Sequence, residues 1–600
     1  MERNHIIGFI LIFATLILWN VMSAPSKEAL AQKQKERDSI AQLKMIDSTN
    51  NSIAVNNQNE VLVSKTSDSL GIDTALMSNQ VITSVLENDF VKITFSNKGG
   101  RIVSAELKQY TSSYIKTKGK NIELMANPRS KFEFVTQQGN LIKSTNDLYF
   151  VPNLSGNTLV YEAELSPGKK ISQTYVLDKD YGLKFGFKHN ETLSTPWKLQ
   201  WYDVLPKLEK SDLYEQRYSS IYYKKSDENS ADYCSCTSDD LDEINDVTLD
   251  WISHSNQFFN ISLIGDNFKF KNAVLETTMT DIEKTDDLKI LNSKLELPQG
   301  VSDYQMSMFV GPNDLDRLSV YNNGLEEIIP FGSSVFVSIT RWVVRPAFNY
   351  LSTFFSSKGI VIILLIFIIK MLLYPLLYKM LKSQAKMAAL KPELDIIKAK
   401  NKDDLQKSQM ESMKVYQEFG VSPLAGCMPM LLQMPIWIAL YRFFPASIAF
   451  RQEPFLWAED LSSYDAFFQL SFEIPFMGSH ISLFTVLWAI STLIYTYYST
   501  KNVDMSANPA MKYVQYFMPL MFLGFFNSYA SGLTAYMFFS NLINILQIIV
   551  TKNFIFDDKK IRAELDVQKL KPKKTGGFQA KLAEAMKKQQ EIASTKQAKK

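Results

Sequence analysis

Residues Gly359–Tyr378 read G-I-V-I-I-L-L-I-F-I-I-K-M-L-L-Y-P-L-L-Y. An apolar run of about 20 residues is what an α-helix needs to cross the hydrocarbon of a bilayer. Its one charge is Lys370. Counted from Gly359, that residue stands roughly 16 Å along a helix, near mid-bilayer. An intramembrane Lys costs about 2.5–3.5 kcal/mol on insertion scales, so it should face protein interior or water. Snorkelling is the plain alternative, but the nearer end, at Tyr378, is two turns away. The position of Lys370 therefore predicts a hydrated cavity.

Four more apolar runs follow, at Leu424–Phe444, Ile481–Tyr498, Val514–Ser528 and Leu533–Val550. Pro423, Pro429, Pro435 and Pro519 would break soluble helices, whereas a membrane bundle can re-satisfy the freed backbone groups. Near the start, Ile6–Trp19 is either a signal peptide or an anchor. Cleavage after Ala24 would put Met22 where a small residue belongs, which favours an uncleaved span. Lys and Arg set the orientation. The loop Lys379–Phe419 carries 9 Lys against 6 acids, and residues 552–600 carry 14 basic against 6 acidic residues. Residues 445–480 have one Arg and five acids, and residues 23–340 have 33 basic against 43 acidic. Six spans with both termini inside place all the basic segments in the cytoplasm and both acidic ones outside. The net charge of +3 is thus the remainder of two opposed halves.

The acidic half divides again. Residues 23–80 are polar and poor in aromatics, too little to bury a core, and read as a flexible linker. From Val81 the pattern has period two: Val91, Ile93 and Phe95 alternate with Lys92 and Thr94 before a Gly99-Gly100 turn. Similar stretches recur at Lys131–Thr136, Gln173–Leu177, Leu183–His189, Phe258–Ile264 and Tyr304–Val310, with no βαβ alternation. The expectation is an antiparallel β-sandwich over residues 81–325. Ser226–Asp250 reads as a long polar surface insertion. Residues 326–352, with Trp342, Arg341 and Arg345 among spaced apolar residues, suit an amphipathic helix lying at the membrane interface. The fold class is therefore an α-helical polytopic membrane bundle of six spans, five of them in a core at 353–551, joined to a large outer β-domain. Residues 1–22 are the anchor, 380–420 a charged helical hairpin in the cytoplasm, and 552–600 a basic tail disordered unless bound.

Chemistry-bearing residues are few. Gln433 sits in the Pro-rich run. Ser540, Asn544 and Gln547, at i, i+4 and i+7, share a helix face. They are candidates to line the cavity with Lys370, and plain interhelical hydrogen bonding is the alternative. Fourteen of the 23 Met fall between Met371 and Met537. Met430, Met434, Met518 and Met521 offer flexible thioethers for varied apolar partners, or ordinary lipid-facing packing. Three cysteines (Cys234, Cys236, Cys427) and four scattered histidines argue against a disulfide scaffold or a zinc site. No H-E-x-x-H, G-x-S-x-G, Walker or dinucleotide motif occurs, so an enzyme has no support and no cofactor is expected.

The string Val421-Ser-Pro-Leu-Ala-Gly-Cys-Met-Pro-Met-Leu-Leu-Gln-Met-Pro-Ile-Trp-Ile-Ala-Leu-Tyr441 resembles the signature of YidC-type membrane protein insertases. Tyr374-Pro375-Leu376, Pro454-Phe455, Ser531-Gly532-Leu533 and Ser540-Asn541-Leu542 also resemble that family over about 345–550. Asn97–Arg101 (N-K-G-G-R) resembles the first strand turn of its large periplasmic domain, which marks the Gram-negative form. The resemblance implies an inner-membrane insertase and chaperone for nascent membrane proteins, acting alone or with the Sec translocon. It implies a groove open to cytoplasm and lipid whose positive charge receives the client's polar end, with the client's apolar span leaving along the third and fifth spans. Lys370 stands where the family usually has Arg, keeping the charge but losing the bidentate fork. The hairpin and tail would recruit a ribosome or targeting factor. The competing expectations are a solute or proton transporter using Lys370, which predicts paired intramembrane acids, and an envelope tether.

Overall fold

The structure is a computed structural model, and it describes residues 61–62 and 80–569 apart from 139–140, 192–194, 332–333, 402–404, 422–427, 475–476 and 501–508. The expected N-terminal anchor, nearly all of the linker, and tail residues 570–600 lie outside the described residues.

The outer half is two antiparallel sheets packed face to face. One has nine strands and runs, edge to edge, from Asp232–Tyr233 through Ser220–Lys225, Leu249–Ser255, Phe259–Gly265, Asp303–Pro312, Gly182–His189, Lys169–Leu177 and Thr158–Ser166 to Val151–Ser155. The other has six, from Asp240–Ile244 through Lys271–Met279, Asp287–Glu296, Lys198–Pro206 and Lys131–Gln138 to Leu141–Ser144. Alternate residues of each strand turn inward, so Ile171, Gln173, Tyr175 and Leu177 are all buried. Rings from the two sheets meet between them: Phe134 stacks on Phe187 at 3.8 Å and Trp201 on His254 at 3.7 Å. Each such ring stabilises the fold by roughly 1.5–3 kcal/mol of transfer free energy.

A meander of Ile82–Glu87, Val91–Ser96, Arg101–Thr111 and Asn121–Leu124 packs beside the sandwich. Its turn explains N-K-G-G-R. Gly99 and Gly100 have φ of +86° and +62°, which only glycine adopts cheaply. A Cβ on Gly100 would lie 2.8 Å from Gln173 Nε2. That close approach lets Gln173 donate to Gly99 O at 2.9 Å and the Tyr175 hydroxyl donate to Gly100 O at 2.8 Å.

Ser226–Asp250 lies mostly at the surface, and it also supplies an edge strand to each sheet. Asp232–Tyr233 edges the nine-stranded sheet, Asp240–Ile244 edges the six-stranded one, and Cys234 is buried between them. Short edge strands carry too few residues to display period two, and that is why the sequence hides them.

Residues 325–352 form a 3₁₀ turn (Leu325–Ile328) and then consecutive helical segments Ser334–Ile339, Thr340–Val344 and Arg345–Ser352. Thr340, Val344, Phe348 and Leu351 form the buried face, and Trp342 and Tyr350 lie exposed on the other. Five core helices follow: α1 (Lys358–Ala389), α2 (Met428–Ala446), α3 (Leu483–Thr500), α4 (Pro509–Phe526) and α5 (Ser531–Val550). Among the described residues two helices are long and apolar enough to cross a membrane, Lys358–Ala389 and Ser531–Ile555, with Tyr513–Phe526 a shorter apolar helix. The expected count of six spans is therefore met here by two. Helix α3 has only 18 residues, and its hydroxyl groups (Thr485, Ser491, Thr492, Thr496, Ser499, Thr500) dilute its apolarity.

Helix α1 runs straight on past Tyr378, and the projecting hairpin consists of Lys391–Lys400 and Leu405–Glu418. The tail also departs from expectation. Asp558–Lys569 is a helix whose Ile561 and Leu565 are buried against Met387, Leu390, Phe419 and Val421. Arg562 pairs with Glu393 at 2.5 Å, and Glu564 pairs with Lys382 and Lys386 at 2.8 and 3.1 Å. An i, i+4 apolar pair is enough to dock a charged helix, and composition alone does not display it.

Candidate functional site

Lys370 is 4% exposed although nothing around it in sequence is polar. It lies on the face of α1 that carries the buried Ile362, Ile366 and Ile369, while Phe367, Met371 and Leu372 point outward. Among the described residues Lys370 enters no ion pair. The neighbouring helix is α5, whose Gln547 Nε2 donates to the backbone carbonyl of Lys370 at 3.4 Å. One turn further on, the Tyr374 hydroxyl lies 3.0 Å from Thr551 Oγ1. Pro375 leaves the α1 backbone one hydrogen bond short at this level.

Of the residues expected beside Lys370, Ser540 and Gln547 are buried and Asn544 is half-buried, all on α5. Gln547 Oε1 has no hydrogen-bond partner among the described residues. Gln433 and Met430 lie in α2, but their side chains are outside the described set. Met434, Met518 and Met521 are exposed on the outer surfaces of α2 and α4, in company with Phe517 and Leu520. Asn541, next to Ser540 on α5, is a further polar residue of the bundle. Its amide donates to Thr492 Oγ1 at 2.8 Å and Ser491 Oγ at 3.2 Å, and so ties α5 to α3. The only sequence signal for it is an amide inside a span.

A second cluster joins the β-domain to the outer loop after α2, and no sequence pattern announces it. Arg451 is buried. Its Nε donates to Glu209 Oε1 at 2.8 Å, one terminal nitrogen donates to Thr111 O at 2.6 Å, and the guanidinium lies 5.0 Å from the Phe259 ring centre. Gln452 adds bonds to Thr111 O and Ser113 Oγ, and Gln257 donates to Pro445 O at 2.8 Å. Glu215 stands beside Glu209 and accepts from the Leu208 and Glu209 amides. Burial pushes both carboxyls up. Glu209 is pulled back by Arg451, and Glu215 is pushed further by Glu209. Gly532 seats the start of α5 against the same loop: a Cβ there would meet Leu461 O at 2.9 Å.

One triad-like set occurs in the β-domain. Ser293 Oγ lies 2.8 Å from His254 Nε2, and His254 Nδ1 lies 3.9 Å from Asp203. All three side chains are sealed between the sheets under Trp201, so no substrate reaches them. Among the described residues no group of His, Cys, Asp and Glu is arranged to hold a metal.

Residues 83–346 match the family described as the YidC periplasmic domain, and residues 350–560 match the family described as the 60Kd inner membrane protein. The chain is 34% identical to the membrane protein insertase YidC of Parabacteroides distasonis, over 100% of this chain and 99% of the relative. It is 33% identical to that of Bacteroides fragilis over 100% and 99%. It is 35% identical to that of Phocaeicola vulgatus over 92% and 91%.

Proposed function

The chain belongs to the YidC family of membrane protein insertases, and on that premise we propose how its residues carry out insertion. It is a membrane protein with a helical membrane region and a periplasmic domain of antiparallel sheets, and it inserts proteins into the membrane. Its clients are nascent membrane proteins and its setting is the lipid bilayer.

The reading rests on one observation: a buried cation between α1 and α5 with no ion pair among the described residues. Moving a polar segment through about 30 Å of hydrocarbon is prohibitive, because each unsatisfied backbone group costs several kcal/mol. A water-filled groove reaching Lys370 shortens that path. The ammonium attracts the client's acidic or polar leading end, and Ser540, Asn544, Gln547 and Gln433 supply exchangeable hydrogen bonds. Burial of the client's apolar span, at roughly 25 cal/mol per Å², drives release into lipid without a nucleotide. Met430 and Met434 on α2, with Met518 and Met521 on α4, form the slide along which that span leaves. Six spans with both termini in the cytoplasm, domain limits near 81–325 and 353–551, cooperation with the Sec translocon, and ribosome recruitment by the hairpin and tail complete the proposal. The transporter alternative has no observation in its favour. The test is insertion of a client with an acidic leading segment by Lys370→Glu and Lys370→Arg variants. The groove reading requires loss in the first and retention in the second.

A further inference from the structure

The outer loop between α2 and α3 contains a two-stranded hairpin, Phe468–Ile474 with Gly478–Ile481, paired as Phe468↔Ile481 and Ile474↔Gly478. No third strand joins it among the described residues. In its first strand the apolar Phe468, Leu470, Phe472 and Ile474 alternate in sequence with Gln469, Ser471 and Glu473, and the ladder shifts register between Gln469 and Ile474. Phe468 and Phe472 are 56% and 62% exposed, while Leu470 and Ile474 are half-buried. An isolated hairpin is marginal in water, and exposed rings of this kind call for a partner.

The second strand shows where that partner lies. Asn527 occupies the turn joining α4 to α5, at the outer ends of two core helices. Its Nδ2 donates to Met477 O at 2.8 Å and to His480 O at 2.7 Å, and its Oδ1 accepts from Ser482 N at 2.9 Å. One side chain thus touches the strand at both its tip and its base. The second strand is therefore held along its length against the turn at the ends of α4 and α5. Ile481 is two residues from the start of α3. Phe467, 48% exposed, meets Trp457, which packs on Phe484 in the first turn of α3. Exposed aromatic rings at the height of helix ends match the belt that membrane proteins place at the headgroup level.

We propose that the Phe468–Ile474 strand is a membrane-interface anchor, with its exposed Phe468 and Phe472 rings seated in the headgroup–acyl boundary of the outer leaflet and its exposed Gln469, Ser471 and Glu473 side chains in water. The loop carries one Arg and five acids over residues 445–480, so the contact is apolar and aromatic rather than a cation–phosphate attraction. The anchor fixes the depth of α3 and of the α4–α5 turn. The inference rests on the membrane reading of the core helices.

The experiment places p-benzoylphenylalanine singly at Phe468, Phe472, Ser471 and Leu372 in the full chain. The protein is reconstituted in phosphatidylethanolamine–phosphatidylglycerol nanodiscs, irradiated and analysed by intact mass. Leu372 lies exposed on α1 and reports membrane embedding independently. The expected result is phospholipid adducts at 468 and 472 several-fold above those at 471, unchanged when phosphatidylglycerol is omitted. The proposal is overturned if 372 labels lipid while 468 and 472 do not exceed 471, or if 468 and 472 instead join a second copy or a nascent chain. Failure at 372 as well would count against the membrane placement itself.

Discussion

Two of the buried cations, Arg451 and Lys370, are held in opposite ways. Arg451 at the outer junction is paired with Glu209, bonded to Thr111 O and laid against Phe259. Lys370 between α1 and α5 is equally buried but has no ion pair among the described residues. A fork-shaped guanidinium that donates to both a carboxylate and a backbone carbonyl is a fastening. The Lys370 ammonium has no such partner among the described residues, and under the proposed function its field acts on the client that arrives and leaves. Burial alone therefore does not tell the two apart, and neither does an ion pair: Lys289 is buried with no ion pair among the described residues, yet its Nζ is held by the carbonyls of Ser219, Ser235 and Cys236.

The comparison can be broken at its functional end first. Lys370→Glu should reduce insertion of a client with an acidic leading segment by at least about tenfold, the equivalent of ~1.4 kcal/mol in the barrier. Lys370→Arg should stay within a small factor of the parent in the same liposome insertion assay. Normal insertion by the Glu variant would mean that the cation has no part in the reaction.

The structural end comes next. Arg451→Ala leaves Glu209 buried without its partner, a change expected to cost about 3–5 kcal/mol. Thermal unfolding of the detergent-solubilised chain should show the loss, and adding Glu209→Gln should recover part of it. Equal melting of the single and double variants would refute the pairing as the source.

Asp203 sharpens the rule with the opposite sign of charge. It is buried, accepts from Ser130 Oγ at 2.9 Å, and faces a His254 that burial keeps neutral. Burial raises its carboxyl to about 6. A raised folded value means that the folded state holds the proton more tightly than the unfolded chain does. This group's stabilising contribution is therefore present at low pH and is lost as pH rises through about 6. The swing is on the order of 3 kcal/mol. Asp203→Asn should flatten the difference in melting between pH 5 and pH 8, and an unaltered pH profile would rule this carboxyl out.

The smallest effect belongs to exposed pairs. Glu564→Gln removes the links to Lys382 and Lys386 yet should cost only about 0.2–1 kcal/mol, because water and salt screen them. Leu565→Ala, which empties a buried position, should release the tail helix far more readily to limited proteolysis.

Much of this was legible in one dimension. Val91–Phe95, Lys131–Thr136 and Tyr304–Val310 announce strands because one face must be dry and the other wet. Lys370 announces itself because an apolar run has no other reason to carry a charge. Asp232–Tyr233, Asp240–Ile244 and the tail helix stayed hidden, being too short or too charged for their period to stand out. The Arg451–Glu209 pair spans 242 positions and belongs to no motif. Asn527, the clamp of the outer hairpin, reads in sequence as one more turn residue.

What the sequence determined by itself is the division into a sandwich and a membrane bundle and the singular place of Lys370, because hydrophobic period and intramembrane charge are local properties of the chain. What only the tertiary structure decided is which buried charges are matched. Matching depends on distances between segments far apart in sequence, and in a low-dielectric interior a few ångströms determine whether a charge is fastened or left available.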